Sequence, residues 1–195
     1  MGYYELLRFA HIIGFMLLGG GLLAVFISEL RAYRTEDVHV FAEAGWYTAA
    51  FYDTLVVPGA LLVGLSGLLL VFELALGFFD EPWLTAMWGL FLFELIEGNT
   101  VTRLQFRRTL RRSRAALGQG RLTDDVRDEA RAPIGQIAHF LDLPLLAVIV
   151  YCGAVRPDSW RQVLVALLAA LVAAAVLSLV VPRLSRARRG SPEHR

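Results

Sequence analysis

Long apolar runs separated by short polar stretches set the pattern of this chain. Five runs, at residues 9–28, 55–77, 83–102, 134–155 and 160–182, each come close to the ~20 residues that a ~30 Å hydrocarbon core requires. None alternates strictly as a barrel strand would, and an unpaired backbone amide costs several kcal/mol in lipid, so the runs predict helices. The predicted fold is all-α, a polytopic membrane helix bundle with five transmembrane helices. It forms one domain over 1–182, followed by a basic, disordered tail at 183–195. The first run is read as a retained span and not a cleaved leader. It lacks a basic start and a small-residue cleavage site, and it leads straight into Glu29, Arg31 and Arg34.

Composition sharpens this picture. Of 195 residues, 56% are hydrophobic and only 19% charged, too apolar for an average soluble domain. One cysteine and a net charge of +1 exclude a disulfide scaffold and a nucleic-acid binder driven by bulk charge. All 19 basic residues are arginine, and their placement is lopsided. With five spans, the 29–54 loop, the 103–133 loop and the tail after Pro182 hold two, nine and five of them, while only Arg8, Arg156 and Arg161 lie on the other side. The positive-inside rule then predicts an outside N-terminus and a cytoplasmic C-terminus. Trp83 and Trp160 at outer span ends, with Trp46 and Tyr47 near an inner one, supply the aromatic markers expected at the two interfaces.

The 103–133 loop is the only sizeable soluble part. Leu104, Phe106 and Leu110, set among six Arg at 103–114, predict that the third helix continues past the membrane and lies near anionic lipid headgroups. Gly118 and Gly120 are expected to break it, and Thr123-Asp124-Asp125 to start a short helix that Pro133 closes. Within the spans, Gly14, Gly19-Gly20-Gly21 and Ala60-x-x-x-Gly64 predict close helix packing. The fifth run is rich in Ala, Leu and Val and predicts a peripheral helix.

Ionisable groups at membrane depth are the functional signal, because each costs roughly 2.5–3.5 kcal/mol to insert without a partner. At ~1.5 Å per residue, Glu97 and His139 lie about 9 Å from the cytoplasmic boundary, and Glu94 and Asp142 about 13 Å from it. If the third and fourth helices are antiparallel neighbours, Glu97 faces His139 and Glu94 faces Asp142, each pair held on one face by i,i+3 spacing. Glu29 and Asp53, at the inner ends of the first two spans, are expected to close the ring, with Asn99 and Arg103 in support. Carboxylates and an imidazole from facing helices suit a metal ion such as Fe, Mn or Zn. The same groups equally suit proton movement or a purely structural hydrogen-bond network. His11 lies near the outer boundary and is a candidate axial ligand for haem b, with Met87 as its partner, or a histidine satisfied by Glu73 or a backbone carbonyl.

Several short motifs add a resemblance. Leu6-Leu7-Arg8-Phe9-Ala10-His11 opens the first span, Val57-Pro58-Gly59-Ala60 and Ser66-Gly67 lie in the second, Pro82-Trp83-Leu84 opens the third, and Val155-Arg156-Pro157 follows the fourth. Over roughly residues 5–158 the chain resembles an uncharacterised family of bacterial integral membrane proteins. That family is itself distantly similar to HemJ-type protoporphyrinogen oxidases and CopD-like copper-resistance proteins. The resemblance implies a bacterial inner-membrane location and a haem-binding role for His11. Where HemJ-type enzymes carry a Pro-Arg pair, this chain reads Ile27-Ser28-Glu29-Leu30-Arg31, so the implied oxidase activity does not carry over with the histidine. The sequence thus predicts a small membrane protein binding a redox cofactor or metal. The alternative is a transporter, a proton-conducting subunit or an accessory subunit among other membrane subunits, and whether it is an enzyme stays open. No nucleic acid partner is expected.

Overall fold

A computed structural model describes the backbone of residues 2–119 and 133–187, and the side chains of 2–118 and 140–180. The described residues form helices and short connections, with no strand among them. Helix α1 spans Tyr3–Arg34 and α2 spans Val38–Phe51. Helix α3 spans Val57–Glu73, α4 Pro82–Glu97, α5 Arg103–Gln119, α6 Pro133–Val155 and α7 Trp160–Ala187. A wide π-helical turn at Tyr52–Val56 joins α2 to α3 without a break, and a second, at Gly98–Thr102, joins α4 to α5.

Local chemistry accounts for both wide turns. Pro58 sits just inside α3, has no N–H to give and would crowd the carbonyl four residues back, so the turn before it widens. At the second turn, Asn99 Nδ2 donates to the Leu95 carbonyl (2.8 Å) and Thr100 Oγ1 donates to that of Ile96 (2.6 Å). Short polar side chains thereby satisfy carbonyls in the turn before them.

One expectation about a connection is corrected. Residues 29–54 are not a loop: α1 runs on to Arg34, and only Thr35-Glu36-Asp37 separates it from α2. Asp37 caps α2 by accepting from the His39 amide at 2.7 Å. Helix α5 reaches Gln119, between the Gly118 and Gly120 expected to break it. Hydropathy marks where a helix is apolar and is silent on where it stops. The expected short helix lies outside the described residues up to 132, and Pro133, expected to close it, opens α6; of the tail expected to be disordered at 183–195, residues 183–187 are helical in α7 and the rest lies outside the described residues.

Three helices among the described residues are long and apolar enough to cross a membrane: α1, the continuous Val38–Glu73 helix, and Trp160–Val180 within α7. The apolar stretch of α4, which carries Glu94 and Glu97, is shorter, as is the described part of α6, Phe140–Val155. Large apolar side chains such as Leu65, Phe72, Ile96 and Leu168 are exposed around the outside, as lipid contact requires.

Helix α1 packs on α2 and α3, α4 on α6, and α6 on α7. The α1–α3 contact is the closest, and glycines make it so. A Cβ built on Gly59 would lie 2.5 Å from the Leu18 amide nitrogen, and one on Gly14 would lie 2.8 Å from that of Val63. Gly64 turns to the Phe91 ring of α4, so the Ala60-x-x-x-Gly64 motif serves packing within the chain.

Below the apolar region α2 and α5 form an antiparallel stalk. Buried Val38, Phe41, Gly45, Thr48 and Tyr52 recur at alternating three- and four-residue steps, facing Thr102, Phe106, Ser113 and Ala116 from the second long helix. Phe106 turns inward onto the Tyr52 ring (centroids 5.5 Å), Leu110 is half-buried, and only Leu104 is exposed.

Candidate functional site

Both wide turns lie against each other at the junction of stalk and apolar bundle. The Tyr52 hydroxyl reaches to 2.5 Å from where a Cβ on Gly98 would stand, so only glycine lets the phenol in. Arg103, the residue after the second turn, donates through Nε to Asp53 of the first at 2.8 Å, and Arg107 lies 3.7 Å from the other oxygen of that carboxylate. Asp53 therefore belongs to a partly exposed ion-pair clamp and not to the acidic ring expected of it. Asp53→Asn is expected to lower stability by less than about 1 kcal/mol, read from thermal unfolding in mild detergent, because solvent screens partners this exposed.

Above the clamp lies a cavity of about 50 Å³, room for a few water molecules. Its polar lining comes from Tyr52, Glu94, Glu97, Asn99 and Asp142, and Leu22, Val56, Phe91 and Leu146 are among the apolar residues that close it. Glu94 and Asp142, expected to face each other, thus line one cavity, and Glu97, expected opposite His139, lines it with them. Asp142 is 7% exposed, and among the described residues no hydrogen bond reaches its carboxylate. The charges of Glu94, Glu97 and Glu29 all act on it. Glu97 is better supplied, accepting from the Thr102 hydroxyl at 3.0 and 3.2 Å.

The remaining expected residues are distributed more widely. Glu29 lines a second cavity, of about 30 Å³, between α1, α2 and α5. Asn99 lines the first cavity while capping Leu95, and Arg103 is committed to Asp53. The side chain of His139 lies outside the described residues. Among the described residues no three His, Cys, Asp or Glu groups converge closely enough to hold a metal ion.

His11 stands apart from this cluster. Its Nδ1–H donates to the Val63 carbonyl at 3.1 Å, with Ser66 Oγ 3.2 Å from the same nitrogen, and its ring edge packs on Gly67. This is the carbonyl partner anticipated for an unligated histidine, and it also fixes the tautomer in which Nε2 carries the lone pair. Met87 is directed to α6, its sulfur 3.3 Å from the Cβ position of Gly153.

Tyr52 was absent from the sequence expectations. It sits in the first turn of a span, where aromatic residues are usually interface anchors, and the glycine that admits it is 46 positions away. The Gly98-Asn99-Thr100 run inside an apolar segment was the available signal for an irregular turn.

The sequence profile of a family described as "Predicted integral membrane protein (DUF2269)" matches residues 5–157. No curated protein and no solved structure matches the chain.

Proposed function

Given that the chain belongs to the DUF2269 family of predicted integral membrane proteins, its chemistry has to be read from the groups inside the bundle, and we propose that it is a non-enzymatic membrane component that takes up and releases protons at Glu94, Glu97 and Asp142. One observation carries the reading: a nine-tenths buried carboxylate, to which no hydrogen bond runs among the described residues, lines a small cavity together with two further carboxylates. Three negative charges cannot be held together in so poorly solvated a space, so the group carries protons, and the number it carries varies with conditions. Tyr52 adds a hydroxyl able to donate to whichever carboxylate is ionised.

In the arrangement we propose, all five apolar runs cross a bacterial inner membrane, with the stalk and its arginines in the cytoplasm. The cavity then opens nearer the cytoplasmic than the outer face. The first turn of α5 is the part that meets anionic headgroups; Arg108, Arg111 and Arg112 stand further out on the stalk.

Infrared difference spectroscopy of the protein in lipid nanodiscs, between mildly alkaline and mildly acidic buffer, tests the proposal. A protonated-carboxyl band is expected to rise on acidification and to lose a component in Asp142→Asn. No pH-responsive carboxyl band at all would overturn the reading. Stoichiometric Fe, Mn or Zn in the same sample, lost in Glu97→Ala or His139→Ala, would replace protons by a metal ion. A Soret band lost in His11→Ala would move the functional centre to His11 and haem b.

A further inference from the structure

We infer that the cavity lined by Glu94, Glu97 and Asp142 binds a small primary ammonium ion, which enters as a proton leaves. The inference rests on the proton reading above and names the class of ligand with which the protons exchange.

The lining of this cavity is one-sided in charge. Glu94 and Glu97 from α4 and Asp142 from α6 bring three carboxyl groups to a space of about 50 Å³, and among the described residues none that lines it is basic. Arg103, just beyond the second wide turn, is held by Asp53 at 2.8 Å. Buried carboxylates are ordinarily answered by a basic side chain of the same protein. Here the compensating charge has to come from outside, as protons or as a cation. Asp142 is the sharpest case. It is 7% exposed, it lines the cavity, and no hydrogen bond runs to its carboxylate among the described residues. A buried acceptor in that state costs about 1–3 kcal/mol, more when charged, and a donor entering the cavity recovers that cost.

Spacing and surroundings select the class of cation. Among the described residues no three His, Cys, Asp or Glu groups lie close enough to share a metal ion, whose oxygen ligands stand at about 2.0–2.6 Å. An ammonium nitrogen accepts a wider ring, because its three N–H groups diverge and its N–H···O contacts run to about 2.7–2.9 Å. The Tyr52 hydroxyl, admitted by Gly98, adds a fourth oxygen to the lining. Most of the remaining wall is hydrocarbon, from residues such as Leu22, Val57, Leu95 and Ile149. That wall suits a carbon chain better than a hydrated ion. Room for a few water molecules fits methylammonium, and not a long or branched amine.

The exchange conserves charge. The O–H bond of a protonated carboxyl in the cavity breaks, and its proton leaves on a water molecule as hydronium. The carboxylate that remains accepts an N–H hydrogen bond from the incoming ammonium ion. One positive charge enters for each that departs, so the apolar surroundings gain no net charge. The groups that bear on Asp142 during the step are Glu94 and Glu97 of α4 and Glu29 of α1, with Tyr52 of the first wide turn, on which Arg103 acts in turn.

Adding methylammonium chloride to the protein in nanodiscs, in weakly buffered and mildly acidic solution, tests the exchange; an alkylamine is then present as its cation. The Asp142-dependent infrared band of the protonated carboxyl is expected to fall, and a pH-indicating dye to report about one proton released per cation bound. The half-saturating concentration is expected to rise by up to about tenfold for each unit by which the pH is lowered, because protons compete for the same groups. Sodium chloride, and tetramethylammonium chloride with its cation lacking any N–H, are expected to leave the band unchanged. Asp142→Asn is expected to raise the methylammonium concentration needed for proton release about tenfold or more. Glu94→Gln is expected to act in the same direction and decides the matter if Asp142→Asn fails to fold. A band that answers to pH but not to methylammonium would overturn the inference and leave the proton reading intact. An equal response to sodium or tetramethylammonium would also overturn it, by reducing the effect to ionic strength. The absence of any Asp142-dependent band in the wild-type protein would instead mean that the underlying proton reading had failed, and the exchange with it.

Discussion

Gly59→Ala is expected to disrupt the bundle, whereas Gly20→Ala leaves it intact. At Gly59 the new Cβ would meet the Leu18 amide nitrogen at 2.5 Å and the Gly14 carbonyl oxygen at 3.0 Å. Both are main-chain atoms of α1, and no side-chain rotation relieves the clash. The two helices have to move apart, which also loosens the contacts of Gly14 with Val63 and of Gly21 with Val56. Overpacking typically costs about 1–3 kcal/mol, and the upper end or beyond applies where backbone meets backbone. Gly20 has nothing within 4 Å of its Cβ position, and alanine is the better helix former by up to about 1 kcal/mol. Thermal unfolding in mild detergent, followed by circular dichroism, compares the two directly. Equal midpoints would refute the close α1–α3 approach.

Phe106→Ala is expected to cost about 3–5 kcal/mol, the range for removing a buried aromatic side chain. The ring is 5% exposed, packs edge-on against Tyr52 and belongs to the inner core with Leu18, Leu22, Val25 and Val56. Its loss removes the Tyr52 contact that seats the stalk beneath the bundle. The Arg-rich α5 should then become a ready substrate for trypsin. Leu104→Ala, two residues earlier and half exposed to the surroundings, is the control and is expected to change stability by less than about 0.5 kcal/mol. Similar cleavage rates in the two variants would contradict the stalk.

The helical, membrane-embedded character was legible because apolar runs of the necessary length have few other uses. The approach of Glu94 to Asp142 was legible for a related reason: charged side chains at depth need one another, and counting from a boundary gives their levels. What escaped was whatever depends on winding. Counting at 1.5 Å per residue assumes an unbroken α-helix, and Tyr52–Val56 and Gly98–Thr102 depart from one. That departure brings Tyr52 to Gly98 and takes Asp53 out to Arg103. The stalk escaped for another reason. Its seam is made of Gly45, Thr48, Thr102 and Ser113 as much as of Phe41 and Phe106, and small or hydroxylated residues leave little trace in a hydropathy profile.

The π-helical turns also bear on how the two halves of each long helix are clocked. A turn of this kind holds one residue more than regular α winding needs, and each residue advances the helix by about 100°. The segments on either side are therefore out of phase with what a straight helix would give. Counting through 98–102 as a straight helix therefore misplaces the arginines of α5 by about that angle relative to Glu94, and with them Phe106 relative to Tyr52 and Arg103 relative to Asp53. The azimuth of the stalk and the assembly of the acidic chamber are thus fixed by the same inserted residue.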